Sequence, residues 1–134
     1  MRDHEVLLRL PANHVPLSPI SFPMRSAHVH TDKIALVHDA RRFTCRDRLA
    51  RCRRFASALA AAGIAMGDTV AVLAPNIPER LEAHFGVPLA GAVLNTVNIR
   101  RDAPAVGFIL RHAGAKLLLV DLEWGAAAPR RPRR

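Results

Sequence analysis

Gly67–Glu79 reads GDTVAVLAPNIPE, and this stretch decides the fold. Thr69–Ala74 is apolar or β-branched throughout, without polar alternation. A strand of that composition is covered on both faces, as in a parallel sheet held between helices. Pro75 ends the run, and Asn76 is the expected helix cap, its side chain accepting from the Glu79 amide. Pro78 falls in the first turn, where the amide it lacks has no helical partner anyway. A strand-to-helix turn of this kind lies at the carboxyl edge of a sheet, where open α/β folds bind ligands.

The same alternation continues on both sides. Upstream, PLSPISFPMRSAHVH suggests a short helix, with Ser18 or Ser21 as cap and Pro19 or Pro23 in the first turn. Lys33–Val37 is a strand, Asp39–Arg41 a turn, and Arg42–Thr44 a brief return strand. Thr44 opens the clearest helix, with Asp47 in place of the usual Glu of a capping box. Leu49, Cys52, Ala56 and Leu59 form its apolar stripe, and Gly63 is its left-handed stop, with Ile64 folding back. Downstream, Pro88 kinks or ends the helix begun at Asn76. Ala92–Thr96 is the next strand; Asp102 caps a helix through Arg111, Gly114 stops it, and Lys116–Val120 is a further buried strand. The expected class is α/β: a three-layer parallel sheet with helices on both faces, built from a strand–helix unit repeated three times and closed by one more strand.

The chain has 134 residues, a common size for one domain, and its 50% hydrophobic content argues against disorder. Residues 1–15 read as an irregular N-terminus and 16–123 as the folded part. Residues 124–134 read as a disordered Arg/Pro/Ala tail whose composition resembles out-of-frame translation of GC-rich DNA. No apolar stretch reaches the ~18 residues of a membrane span, and the N-terminus fits a signal peptide poorly. The expected location is the cytoplasm.

Net charge is +9, but Arg130, Arg131, Arg133 and Arg134 in the tail carry four of those charges. Arg46, Arg48, Arg51, Arg53 and Arg54 share one helix and read as a solvated face. Aromatic residues are 4% with no Tyr, so bases would find few stacking platforms, and no specific nucleic-acid partner is expected. Cys45 and Cys52 lie seven residues apart on one helix, about 10.5 Å along its axis. That is beyond disulfide reach, and both read as reduced residues with Cys52 facing the core.

Sites of chemistry are few. His28 and His30 form an HxH pair without a carboxylate or cysteine at ligand spacing, so no metal site is expected. No GxSxG, GxGxxG or GxxxxGK[ST] occurs, and Gly86, Gly91 and Gly107 are too scattered to cradle a phosphate. Glu79 reads as a capping residue and Glu82 as solvated. The most polar connection is NTVNIRR, Asn95–Arg101, at the carboxyl edge of the sheet. Its Asn95, Asn98, Arg100 and Arg101 are the candidate ligand-edge residues, able to meet an anionic group. The competing reading has the asparagines satisfying loop backbone and the arginines in solvent.

These blocks resemble, in order, the opening of the AMP-forming acyl-CoA synthetases, from about Pro16 to Glu123. The resemblance rests on Lys33–Val37, RRFT at Arg41–Thr44, Leu49 through Gly63, GDTVAVLAPNIPE, HFGVPLAGAVLNTVN (His84–Asn98) and FILRHAGAKLLLVD (Phe108–Asp121). The His84–Asn98 wording is similar to members acting on fatty or other carboxylic acids. The resemblance implies an incomplete N-terminal subdomain of the adenylate-forming fold. Such enzymes join a small-molecule carboxylic acid to ATP as an acyl-adenylate, with Mg²⁺, and then pass the acyl group to CoA. The phosphate loop, the adenine and magnesium segment, the ribose Asp and the C-terminal lysine of the family have no counterpart in this sequence. The resemblance therefore implies no catalytic, cofactor-binding or metal residue in the chain, and no cofactor bound by the chain alone. The resulting expectation is an N-terminal fragment, inactive by itself and lacking the remainder of the enzyme, with an exposed edge strand prone to aggregation. Two rivals stand beside it: a non-catalytic subunit that completes its sheet with a separately encoded remainder, and a small basic nucleic-acid-binding module.

Overall fold

A computed structural model of the chain describes residues 14–15 and 18–123. The irregular N-terminus, apart from residues 14 and 15, and the 124–134 tail lie outside the described residues. The elements run α1 (Ser21–Val29), β1 (Ile34–His38), β2 (Arg41–Thr44), α2 (Cys45–Ala61), β3 (Thr69–Leu73), α3 (Pro78–Leu89), β4 (Val93–Thr96), α4 (Ala103–His112) and β5 (Ala115–Val120).

The uninterrupted apolar run places β3 at the centre of a three-stranded sheet of order β4-β3-β5, both pairings parallel. Val70, Val72 and Ala74 face one way, against Leu59 of α2 and Ala83 and Val87 of α3. Ala71 and Leu73 face the other way, against Val97, just after β4, and Val106 of α4. Helices therefore cover both faces of β3, which is why no polar residue alternates along it.

The strand, turn and return strand expected over Lys33–Thr44 form, but outside the parallel sheet. β1 and β2 form a separate antiparallel hairpin, with His38 opposite Arg41. Only Asp39 and Ala40 connect the two strands, and so short a connection forces antiparallel pairing. Asp39 takes the left-handed φ of 52° that the turn needs, a conformation Asp tolerates better than most residues. The parallel sheet thus holds three strands, and the strand–helix alternation that builds it begins at β3.

Capping follows the sequence closely at α2 and less so elsewhere. The Thr44 hydroxyl accepts from the Asp47 amide at 3.1 Å, and the Asp47 carboxylate accepts from the Thr44 amide at 3.0 Å, closing a capping box. At the far end Gly63 has φ 81°, and Ile64 donates back to the Leu59 carbonyl at 3.0 Å. Asp102 caps α4 by accepting from the Ala105 amide at 3.0 Å. At α3 the cap position is Ile77, not Asn76, and no side chain caps it. The Ile77 amide bonds to the Pro75 carbonyl at 2.9 Å, which tightens the chain around Asn76 and leaves that residue exposed. Pro88 sits in the last turn, and the helix ends at Leu89. At α1 the cap position is Ile20, also without a side-chain cap, while Pro23 is buried in the first turn.

Candidate functional site

A cavity of about 560 Å³ opens at the carboxyl end of β3 and β5, on the sheet face that carries α2 and α3. Phe55, Val72, Ala74, Ile77, Ala83 and Leu119 give it an apolar wall. Arg41, Glu79, Arg80, Glu82, Asp121 and Leu122 also line it. Its place follows from the fold: α3 packs on β3 and β4, α2 packs on α3, and the β5 leucines are left half-buried.

The charges lining the cavity are largely spoken for within the fold. Arg51 on α2 grips Glu82 on α3 with two nitrogens, Nη2 lying 3.1 Å from Oε2 and Nε contacting Oε1. Arg41 of the hairpin reaches Glu79 at 2.6 Å, and Arg51 lies 3.6 Å from the same carboxylate. Both guanidinium groups lie over the Phe43 ring, whose centroid is 5.1 Å from Arg41 and 5.0 Å from Arg51. Arg80 donates to the Ala74 carbonyl at 2.7 Å. The network joins the hairpin, α2 and α3.

These contacts set the protonation states. Burial pushes the Glu79 carboxyl up, but the hydrogen bond from Arg41 and the nearby charges outweigh it and hold the group below the usual glutamate range. The bond to Glu82 raises Arg51 above the ordinary guanidinium value. Burial pushes the Cys52 thiol up, which keeps it a thiol rather than a reactive thiolate at neutral pH.

The structure does not bring the sequence candidates to this cavity. Asn95 lies within β4, opposite Ala71 of β3, and Asn98 accepts from the Arg100 amide at 2.9 Å through its own side chain. Arg100 and Arg101 are exposed. Because β4 and β5 flank β3 on opposite sides, the Asn95–Arg101 loop and the cavity occupy different halves of the carboxyl edge. The Asn98 side-chain carbonyl oxygen therefore bonds its own loop backbone.

Glu82 was missed outright. Its side chain is only 9% exposed and paired, where the sequence suggested solvation. The available signal was its place one turn before Gly86, on the stripe of α3 that also carries Ala83 and Val87. Glu79 is an ion-pair partner of the hairpin rather than a cap. The arginine face of α2 is likewise not simply solvated: Arg51 holds Glu82, Arg46 pairs with Asp32 at 2.6 Å, and Arg48 stacks 5.1 Å above Phe85.

Comparison with known proteins identifies the frame into which this geometry fits. The model of the AMP-binding enzyme family matches residues 24–133. The chain belongs to this family. Among curated relatives, a peroxisomal acetate/butyrate–CoA ligase of Arabidopsis thaliana is 50% identical over 92% of the chain and 22% of its own length. An acetate–CoA ligase of Humulus lupulus is 45% identical over 95% of the chain, again 22% of its own length. Among solved structures, a putative long-chain-fatty-acid CoA ligase of Rhodopseudomonas palustris superimposes with a TM-score of 0.78 at 32% identity, over 83% of this chain and 28% of that one. The chain thus spans about a fifth of the length of the curated relatives it matches. Within the AMP-binding family its fold is that of an incomplete N-terminal subdomain of the adenylate-forming enzymes.

The described residues at the cavity do not fit ATP or a magnesium ion. Among the described residues no three His, Cys, Asp or Glu side chains gather as metal ligands, and Arg41, Arg80, Glu79 and Glu82 at the cavity are engaged with one another or with the backbone. No described helix is long and apolar enough to span a bilayer.

Proposed function

We propose that this chain is the amino-terminal scaffold of an ATP-dependent carboxylate–CoA ligase and that it catalyses no adenylation by itself. The observation that carries the reading is the family match over residues 24–133, joined to relatives whose names specify acetate, butyrate and related acids as substrates. In the complete enzyme ATP activates the carboxylate as an acyl-adenylate before transfer to CoA. This chain contributes the β3–α3–β4–α4–β5 platform and the cavity wall, and it holds that wall rigid through the Arg41–Glu79 and Arg51–Glu82 pairs. The exposed Arg100 and Arg101, with Asn95 and Asn98 beside them, are assigned to an anionic group brought to the other half of the carboxyl edge in the complete enzyme.

The test is ATP–pyrophosphate exchange by the purified chain with acetate, butyrate and benzoate. No exchange above buffer is expected with any of the three. Exchange that scales with protein concentration would refute the scaffold reading. A nucleic-acid role has less support, because Arg51 is paired with Glu82, Arg48 lies over Phe85 and Arg46 is neutralised by Asp32. We keep a cytoplasmic location as part of the proposal, although several relatives are named as peroxisomal; organelle-restricted fluorescence of the tagged chain would overturn it.

A further inference from the structure

We propose that a second cavity, of about 340 Å³ between the hairpin and the start of α3, binds a small organic monoanion: a compact apolar body carrying one carboxylate or an equivalent anionic group. The site lies wholly within this chain and does not depend on the scaffold reading above.

The lining offers both halves of such a ligand a place. Leu36 of β1, with Ile77 and Leu81 of the α3 side, makes the apolar part. The polar part comes from His38 of β1, Asn76 of the turn, and Arg80 and His84 of α3. All four side chains can donate a hydrogen bond, and no carboxylate lines this cavity among the described residues. The larger cavity shares Ile77 and Arg80 with it but is also lined by Glu79, Glu82 and Asp121, and its Arg41 is paired with Glu79. Charge is thus balanced in one cavity and left positive in the other.

The donors of the smaller cavity are largely unspent. Arg80 gives one N–H to the Ala74 carbonyl at 2.7 Å, and among the described residues no carboxylate pairs with it. A half-buried guanidinium without a counter-charge is the group an anion binds through charge-assisted hydrogen bonds. Asn76 does not cap α3, so its carboxamide is not used on the helix amides. His84 sets Nδ1 2.8 Å from the Arg80 carbonyl, which leaves Nε2 for a ligand. His38 has Asp39 beside it at 3.6 Å, but Asp39 does not line the cavity. Two imidazoles without a third ligand do not hold a metal, and no three His, Cys, Asp or Glu side chains gather among the described residues. The volume lies at the small end of ligand pockets, which suits one ring or a short chain better than a nucleotide.

The test titrates the purified chain with benzoate and follows it by ¹H–¹⁵N NMR. Benzyl alcohol serves as the uncharged probe, and inorganic phosphate as the anion without an apolar body. Benzoate is expected to saturate with a Kd of about 1 mM, ordinary for so few atoms, and to shift the amide signals of residues 76–84. The other two probes are expected to bind at least about tenfold more weakly, each lacking one half of the recognition. Asn76→Asp replaces a donor with a carboxylate at nearly the same volume and is expected to weaken benzoate about tenfold or more. His84→Ala is expected to weaken it about fivefold. Asn76 and His84 are exposed, so both variants keep the fold, and unchanged circular dichroism melts verify that. Arg111→Gln removes an exposed charge from α4, on the opposite face of the sheet, and is expected to leave the Kd unchanged. The site is overturned by benzoate that does not saturate or that shifts signals elsewhere. It is equally overturned if benzyl alcohol or phosphate binds as tightly, if Asn76→Asp and His84→Ala are without effect, or if Arg111→Gln weakens binding as much as they do.

Discussion

Arg51→Ala tests the account of the core most directly. Glu82 is paired with Arg51 in a site where its own side chain is 9% exposed, while Arg51 is 29% exposed. Removing the guanidinium strands a carboxylate between two helices. Breaking a buried pair in this way costs about 3–5 kcal/mol. Water can enter along the space Arg51 vacates, so the lower end, about 3 kcal/mol, applies here. The complementary change Glu82→Ala leaves Arg51 with Glu79 at 3.6 Å and with Phe43 beneath it, and should cost less, about 1–2 kcal/mol. Replacing both residues with apolar ones of similar volume, Arg51→Met with Glu82→Leu, removes the stranded charge and should recover much of the loss. Urea unfolding followed by circular dichroism is the assay. With a slope near 2 kcal/mol per molar, Arg51→Ala should move the midpoint down by about 1.5 M. A shift below about 0.3 M, or equal losses from the two single alanine variants, would show that the pair is solvated and that Glu82 is not a buried partner.

Three further outcomes follow from local geometry. Gly86→Ala places a methyl 2.5 Å from Phe55 Cδ1 and 3.2 Å from the Cys52 carbonyl, so α2 and α3 must separate; the expected cost is about 1–3 kcal/mol by the same urea assay, despite the better helix propensity of Ala. Thr44→Ala opens the capping box at the start of α2 and should cost about 1 kcal/mol, read in the same way. The pH dependence has a definite sign. The side-chain hydrogen bonds from Thr44 to Asp47 and from Lys116 to Asp68 lower both carboxyls, and Glu79 is lowered on balance by Arg41. Groups lowered in the folded state stabilise it above their ordinary values, about 3.9 for Asp and 4.3 for Glu, and lose that contribution as pH falls through the lowered ones. The urea midpoint should therefore change little through these groups between about pH 7 and 5.5 and fall below about pH 4; a midpoint that rises on acidification would contradict these contacts.

Much of the fold was legible because it is written in local periods. The capping box needs only Thr44 and Asp47, the stop of α2 only Gly63 and Ile64, and the burial of β3 only its unbroken apolar run. Each of these reports hydrogen bonds or faces within a few residues, which is the range over which sequence pattern carries information. Asn76 shows the limit even there: a one-residue difference in where the chain tightens moved the cap to Ile77.

The candidate site was legible only in part, since its contacts join distant segments. The loop after β4 could be placed at the carboxyl edge, but which half of that edge holds the cavity depends on the strand order β4-β3-β5. By itself the sequence determined the family, the alternation from β3 to β5 and the helix ends, because these are properties of neighbouring residues and ordered motifs. Only the tertiary structure decided that the β1–β2 hairpin stands outside the parallel sheet, and that Arg51 reaches Glu82 across 31 residues. It also decided that the cavity wall is apolar once its charges are paired. The physical reason is common to all three: a charged side chain looks solvated in sequence until packing brings its counter-charge within hydrogen-bond distance and removes the water.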